Sequence, residues 1–365
     1  MIKRPIPAKG SGREEREKKG GSMMAGQKND SILGRIFKRY FVDAMGSMAL
    51  GLFSSLIIGL IISQLAQFSP FSFLAPVTEV LGAKSPVIGA AIGVAIAYGL
   101  KADPLVIFSA ASCGAIGYAA GGGNGGPVGA FIAAVVGAEL GQLLSKKTPV
   151  DIIITPFVTI VTGGLAGGFV GPHVQSFMYW LGNLVNEATT LQPLPMGIIV
   201  GIVVGMVLTL PISSAALCIM MDLSGLAAGA AAAGCCAQMI GFAVISLREN
   251  GVGGLLSQGL GTSMLQVPNI MRHPQIWIAP TVASGLCGAI SAALLGMTNN
   301  ASGAGMGTSG LVGQFGALAV MGYSTKTFLL IALVHFVLPA LTALLVDRLL
   351  RRIGWVKEGY MKLDI

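Results

Sequence analysis

The chain has 365 residues, 53% of them hydrophobic and only 10% charged, with a formal net charge of +8. Soluble domains carry about a quarter charged residues, so this balance excludes a soluble enzyme and indicates an integral membrane protein. Aromatic residues make up 7% and the positive charge gathers at the two ends, a pattern of membrane orientation and not of a nucleic-acid partner.

Residues 1–31 read as a disordered, basic cytoplasmic tail. Lys3, Arg4, Lys9, Arg13, Arg16, Lys18 and Lys19 face only Glu14, Glu15 and Glu17 among their neighbours, and no apolar core marks a cleaved signal peptide. Met23 and Met24 are alternative starts. Ile32–Tyr40 is a short amphipathic lead-in, and apolar segments follow at about 42–65, 86–101, 104–120, 127–145, 150–170, 195–220, 223–247, 276–297 and 327–347. Several lie near the lower limit of about 17 residues for a spanning helix.

That series is odd in number, yet both ends are basic, the second through Arg348, Arg351, Arg352, Lys357 and Lys362. The positive-inside rule places both in the cytoplasm, so one more crossing is needed, best supplied by about 305–323. The expectation is an all-α polytopic protein of about ten transmembrane helices with re-entrant or broken segments. Residues 32–353 form the membrane domain and 354–365 a cytoplasmic tail. Lys101 and the Lys146–Lys147 pair then fall on the cytoplasmic side.

Glycine is abundant, at 53 residues, and permits both close helix packing and broken membrane segments. Gly121–Pro127 (GGGNGGP) reads as a non-helical external loop. Residues 248–275 contain no continuous span, and 298–314 interrupt the apolar pattern again. Their freed backbone groups need protein, water or ligand, unless these are ordinary extramembrane loops.

One further stretch, 171–190 (GPHVQSFMYWLGNLVNEATT), separates into two faces when wound as a helix. Val174, Phe177, Met178, Leu181, Leu184 and Val185 share one side; His173, Ser176, Tyr179, Asn183, Asn186 and Glu187 share the other. Such a helix either lies in the membrane interface or lines a polar cavity.

The candidate binding groups are His173, Asn183 and Glu187 on one side and Glu249, Asn250, Gln258, Gln266, Asn269 and His273 on the other, with Asn299 and Asn300 beyond. Carboxylates accept hydrogen bonds from adjacent hydroxyls, and amides both donate and accept. The set suits a neutral sugar-like ligand or a carboxylate–histidine proton relay. His335 reads as a packing residue. The five cysteines, Cys113, Cys218, Cys235, Cys236 and Cys287, lie in apolar stretches without metal-ligand spacing and read as small buried hydrophobes. No cofactor or metal is expected, and no Walker loop or HExxH motif is present.

The segments ITPFVTIVTGGLAGGFVGPHVQ, LSQGLGTSMLQVPNIMRHPQIWIAP and NNASGAGMGTSGLVGQ resemble the membrane subunit EIIC of the bacterial phosphotransferase system. More narrowly, the chain is similar to a stand-alone EIIC-like group that includes membrane regulators of toxin production. The resemblance covers roughly residues 32–353. It implies a multi-pass homodimer in the bacterial plasma membrane. Such a subunit moves a sugar-like substrate while a separate EIIB, charged by EIIA, phosphorylates it.

With about 18 residues after the last span, no phosphorylated residue is expected in this chain. EIIC proteins use a glutamate and a histidine against the sugar hydroxyls, roles that fall by position on Glu249 and His173. Two alternatives stand beside the permease: an EIIC-like membrane sensor or regulator, and a proton-coupled secondary transporter.

Overall fold

The computed structural model describes residues 32–66, 69–82, 85–123 and 126–363. The part of the chain up to Arg39 forms a unit of its own, with helix Ile32–Phe37 in its described portion. Residues 1–31, where the basic tail is expected, lie outside the described residues. From Tyr40 onward the described chain is helical, with no β-strand among the described residues.

Six helices are long and apolar enough to cross a membrane: Gly34–Ser63, Gly126–Leu144, Asp151–Thr189, Gly225–Ile245, Pro274–Leu294 and Thr325–Arg352. Four shorter apolar helices accompany them: Pro86–Gly99, Pro104–Ala120, Pro193–Thr209 and Ser309–Met321. The chain is a multi-pass, all-α membrane protein.

The first bundle opens with α1, which runs as Met45–Leu52, a wide π turn Phe53–Ile57 and then Ile58–Leu65. It continues with α2 (Pro86–Gly99), α3 (Pro104–Gly123) and α4 (Gly126–Leu144). Ser85 caps α2 by accepting from the Val87 N–H, and Pro86 occupies its first turn, where a missing N–H costs nothing.

Backbone-to-backbone contact replaces side-chain interdigitation here. A Cβ on Gly93 would run into the Ala110 carbonyl, and one on Gly117 into that of Gly129. Ile88, Ile92, Ile96, Val106, Ala110, Ala130 and Ala134 fill the space beside these seams. In a membrane, where lipid removes the hydrophobic advantage of association, such small-residue contacts are what hold helices together.

α3 extends through Gly123, so Gly121–Gly123 of the expected non-helical loop are helical, and α4 already begins at Gly126. Residues 124 and 125 lie outside the described residues. Backbone groups near a membrane are satisfied most cheaply inside a helix, which outweighs the low helix propensity of glycine, a cost of about 1 kcal/mol per residue.

α5 (Asp151–Thr189) is 39 residues long, roughly 58 Å at 1.5 Å per residue. Its first half packs on α3 and α4, with Gly163 against Cys113 and Ala133, and Gly167 against Gly117 and Ala133. Its second half packs Met178 and Leu181 with Val207 and Leu217, and Val185 and Ala188 with Met196 and Val200.

The second bundle follows. It contains α6 (Pro193–Thr209), the short α7 (Ser214–Met220), α8 (Gly225–Ile245) and α9 (Leu247–Leu256). Later members are α10 (Val267–Arg272), α11 (Ile278–Ala289), the single turn α12 (Ala301–Ala304), α13 (Val312–Met321), α14 (Thr325–Ile331) and α15 (Leu338–Arg352). α8 is the most enclosed of the long helices.

Gly201 of α6 approaches Ala230 of α8, and Gly205 approaches Gly234. The two helices therefore run parallel, and the connection 210–224 has to return along them. The expected continuous span 195–220 is thus two pieces: α6 stops at Thr209, and Pro211, which lacks an N–H, lies in the break before α7.

The basic loops share one end of the first bundle. Lys146 forms an ion pair with Asp103, although the ammonium is largely exposed. Gln142 donates to Asp103 at 2.9 Å and accepts from its backbone N–H at 2.8 Å. The hydrogen bond from Lys146, followed by those from Gln142 and Ser145, holds the Asp103 carboxyl below its ordinary pKa. Such a link ties the α2–α3 loop to the α4–α5 loop.

Candidate functional site

The expected polar face on 171–190 does not form a broken or cavity-lining segment. It is the second half of the continuous helix α5, in spite of Pro156 and Pro172 inside it. A proline forfeits one helical hydrogen bond and crowds the carbonyls a turn earlier. Two side chains of this half bond back to the helix's own carbonyls: His173 Nδ1 lies 3.0 Å from the Phe169 carbonyl and Ser176 Oγ donates to the Pro172 carbonyl at 2.9 Å. A ring nitrogen aimed at a carbonyl must carry the proton, which fixes the His173 tautomer. His173, Asn183 and Glu187 are all exposed.

Residues 248–275 behave in the opposite way. Gly251, at φ 62°, breaks α9, and a π turn at Ser257–Gly261 ends in an extended Thr262. The chain then turns through Ser263–Gln266 into α10. With its regular ladder broken, the segment places its amides inward, and Gln258 and Gln266 are fully buried.

They form a directed chain. Asn269 Nδ2 donates to Gln266 Oε1 at 2.9 Å, Gln266 Nε2 to Gln258 Oε1 at 2.9 Å, and Gln258 Nε2 to Ser246 Oγ at 2.9 Å. Buried amides at this depth cost about 1–3 kcal/mol each if unpaired, so the chain is complete or it is a liability.

The stretch beyond residue 353, expected to be a tail, folds back over this network. Glu249 Oε2 accepts from the Met361 backbone N–H at 2.9 Å, and its other oxygen faces Arg351 at 3.3 Å. Asn250 donates to the Met361 carbonyl at 2.8 Å and accepts from the Leu363 N–H at 2.8 Å. Gln266 also reaches the Met361 carbonyl, at 3.0 Å, and Asn269 the Lys362 carbonyl, at 2.9 Å. His273 stacks on Tyr360 with ring centroids 3.8 Å apart and nearly coplanar. Burial, with a smaller contribution from the Arg272 charge, lowers the His273 pKa.

Asn299 and Asn300 serve the third irregular segment. Asn299 Nδ2 donates to the Gly313 carbonyl at 2.9 Å, and Asn300 caps the turn α12 by accepting from the Gly303 N–H at 2.8 Å. Gly307 and Gly310 both hold positive φ, as does Leu311, so the chain folds into a tight tip over Cys235 and Cys236 of α8. There a Cβ on Gly307 would meet the α8 backbone. His335 is buried against Gln314, ring to amide at 3.0 Å, in keeping with the packing role read from the sequence.

Three interior tips therefore converge on α8. The first is the break between α6 and α7, where Ser214 Oγ donates to the Gly305 carbonyl and Thr209 Oγ1 lies 2.8 Å from Ser263 Oγ. The second is 257–266 and the third 305–311. α1 covers the last two, with Phe53 against Gly261 and Leu60–Ile61 against Gly310.

Between the two bundles they border a partly open cavity of about 50 Å³, lined among others by Tyr118, Ser213, Thr262, Met264, Met306 and Ser309. The hydroxyl of Ser309 is buried there without a hydrogen-bond partner. The cavity has the size of a water site, so a larger polar ligand requires the bundles or tips to part.

The hydroxyl tips were not among the residues singled out from the sequence. A signal was present: Gly259–Leu265 reads GLGTSML and Gly305–Leu311 reads GMGTSGL. The same seven-residue pattern, G-(L/M)-G-T-S-x-L, thus recurs at both tips. The signal for the first tip was weaker, a proline followed by Ser213–Ser214 inside an apolar run.

A family model described as "Phosphotransferase system, EIIC" matches residues 42–363. No curated protein matches the chain, and no solved structure does.

Proposed function

From its membership of the EIIC family of the phosphotransferase system, to which this chain belongs, we propose that it is the permease subunit for a sugar-like substrate. A separate EIIB, itself charged by EIIA, phosphorylates that substrate. The observation that carries this reading is the meeting of three irregular tips, two built on glycine and one on proline, at a cavity between two apolar bundles. Irregular backbone at such a place is tolerated where it lines a path. The bundles meet mostly across apolar side chains at that cavity, so relative movement there breaks few hydrogen bonds.

In this reading the substrate sits first against the hydroxyls of Ser214, Thr262 and Ser309. It then passes Gln258, Gln266 and Asn269 toward Glu249, Asn250 and His273. Glu249 accepts from two sugar hydroxyls near the end where the phosphoryl donor docks. The exposed His173, Asn183 and Glu187 line the outer course of α5, and Asn299 and Asn300 shape the third tip. Both termini are cytoplasmic, in a bacterial plasma membrane, and the permease is a homodimer. Cysteine-accessibility at Lys101, Lys146 and Lys357 is expected to report the same, cytoplasmic side. Mass measurement in mild detergent is expected to give twice the chain's mass.

The deciding experiment is uptake into vesicles containing the purified protein. Accumulation of phosphorylated sugar that requires phosphoenolpyruvate and the soluble relay is the expected result. Uptake driven by a pH gradient alone would replace this reading with proton-coupled transport.

A further inference from the structure

We propose that residues 354–363 are a displaceable strap that closes the substrate path by occupying, with their own backbone, the groups a hydroxylated ligand would use. The inference rests on the permease reading and extends it to regulation. Its geometry is specific. Gly354 and Gly359 hold positive φ, 78° and 87°, and at these turns the chain leaves the axis of α15 and comes back over α9 and α10. Beyond Gly359, residues alternate: Met361 and Leu363 are buried while Lys362 is exposed. The backbone between them is left to face the polar groups.

Every bond made there has a ligand-like form. The Glu249 carboxylate accepts from an N–H as it would from a hydroxyl, and the Asn250, Gln266 and Asn269 amides donate to carbonyls as they would to ring oxygens. The Tyr360 ring covers His273 as an apolar sugar face would.

Only its start tidies the end of α15, where the Gly354, Trp355 and Val356 N–H groups serve the Leu350 and Arg351 carbonyls. Its later part, Met361 and Lys362, serves side chains of a different segment, about a hundred residues away in sequence. It also leaves open space on both sides. A cavity of about 290 Å³ lies beside Lys362 and Leu363, lined by Asp43, Ser47, Asn269 and Arg272. Another, of about 490 Å³, lies beside Val356 and Glu358, lined by Arg248, Glu249 and Arg351. The strap therefore has free volume beside it, and it is held down by those hydrogen bonds and by three apolar side chains, Val356, Met361 and Leu363, which must withdraw when it lifts.

The test uses the full chain in vesicles. A cysteine placed at Ala49, which is buried in one apolar cluster with Leu363 of the strap, reports opening through a water-soluble maleimide, because all five native cysteines are buried. With the strap closed, labelling is expected to be slow. Met361→Asp, which puts a charge into a buried position beside Glu249, is expected to speed it by about tenfold or more, as expected when a minor open state becomes dominant. Should Met361→Asp not fold, Tyr360→Ala gives the same comparison.

The converse experiment joins His273→Cys to Tyr360→Cys with a short cross-linker that couples to each thiol through a disulfide. Uptake is expected to fall about tenfold or more, the size of shift a locked minor state produces, and to return on reduction. Labelling that ignores both strap variants, or uptake that ignores the cross-link, overturns the strap. A protein that transports nothing in any form overturns the permease reading instead, while the labelling still decides whether the strap opens.

Discussion

Two stretches of this chain carry nearly the same polar residues and use them in opposite ways. The second half of α5 bears His173, Asn183 and Glu187; the segment 248–275 bears His273, Asn269 and Glu249. In α5 the helix is unbroken over 39 residues, all but the carbonyls facing Pro156 and Pro172 are served along the ladder, and the polar side chains stay outside. In 248–275 the ladder breaks at Gly251 and again at Thr262, and the amides turn inward to serve one another and the strap. Residue type alone does not place a side chain near a membrane. What places it is whether the backbone that carries it is satisfied by itself.

The comparison breaks or sharpens under paired substitutions. Glu249→Ala removes the acceptor for the Met361 N–H and a partner of Arg351. It is expected to destabilise the protein by about 2–3 kcal/mol, the range for hydrogen bonds to charged groups. Glu187→Ala, on the exposed face, is expected to stay within about 0.5 kcal/mol. Unfolding of both in the same detergent measures the difference, and equal effects would erase the distinction.

Next in size is Asn269→Ala, which leaves Gln266 Oε1 and the Lys362 carbonyl without their donor. About 1–2 kcal/mol is expected, against no measurable change for Asn183→Ala.

The third pair acts on the backbone. Gly251→Ala, at φ 62°, is expected to cost about 1 kcal/mol because an L side chain is strained there. Pro172→Ala restores a helical N–H to α5 and is expected to be neutral or stabilising. Thermal unfolding of the two variants separates these cases.

The smallest effect is a pH dependence. His273 has a lowered pKa in the folded protein, and the groups facing it are the Tyr360 ring and the neighbouring Arg272. A lowered histidine pKa means the unfolded state takes up a proton first, so stability is full above the unfolded value of about 6.5 and falls as pH drops below it. His273→Asn is expected to flatten that decline between pH 7 and 5, measured by thermal unfolding across that range.

Much of the fold was legible in the sequence. Hydropathy and the basic ends predicted an all-α polytopic protein of about ten transmembrane helices; the all-α, multi-pass character is present, with six helices long enough to cross a membrane and four shorter apolar ones among the described residues. The irregular character of 248–275 and 298–316 was legible because glycine, proline and amides interrupt the apolar pattern there. Three things were not.

The continuity of α5 was hidden by Gly171–Pro172, since a proline looks the same in sequence whether it ends a membrane helix or sits inside one. The return after Thr209 was hidden because 195–220 is apolar throughout, and apolarity does not report direction. The strap was hidden because its contacts are made by backbone atoms. Met361 and Leu363 meet Glu249 and Asn250 through N–H and C=O groups that every residue carries, so no residue type marks them.

The most direct test of where substrate meets this protein is protection of a single thiol. Thr262→Cys, at the cavity between the bundles, and Asn183→Cys, on the exposed face of α5, are labelled with a small maleimide in vesicles, with and without the sugar that the uptake assay identifies. Slowed labelling at 262 and unchanged labelling at 183 is the expected result. Protection at 183 with none at 262 would move the substrate path to the outer face of α5 and contradict the account.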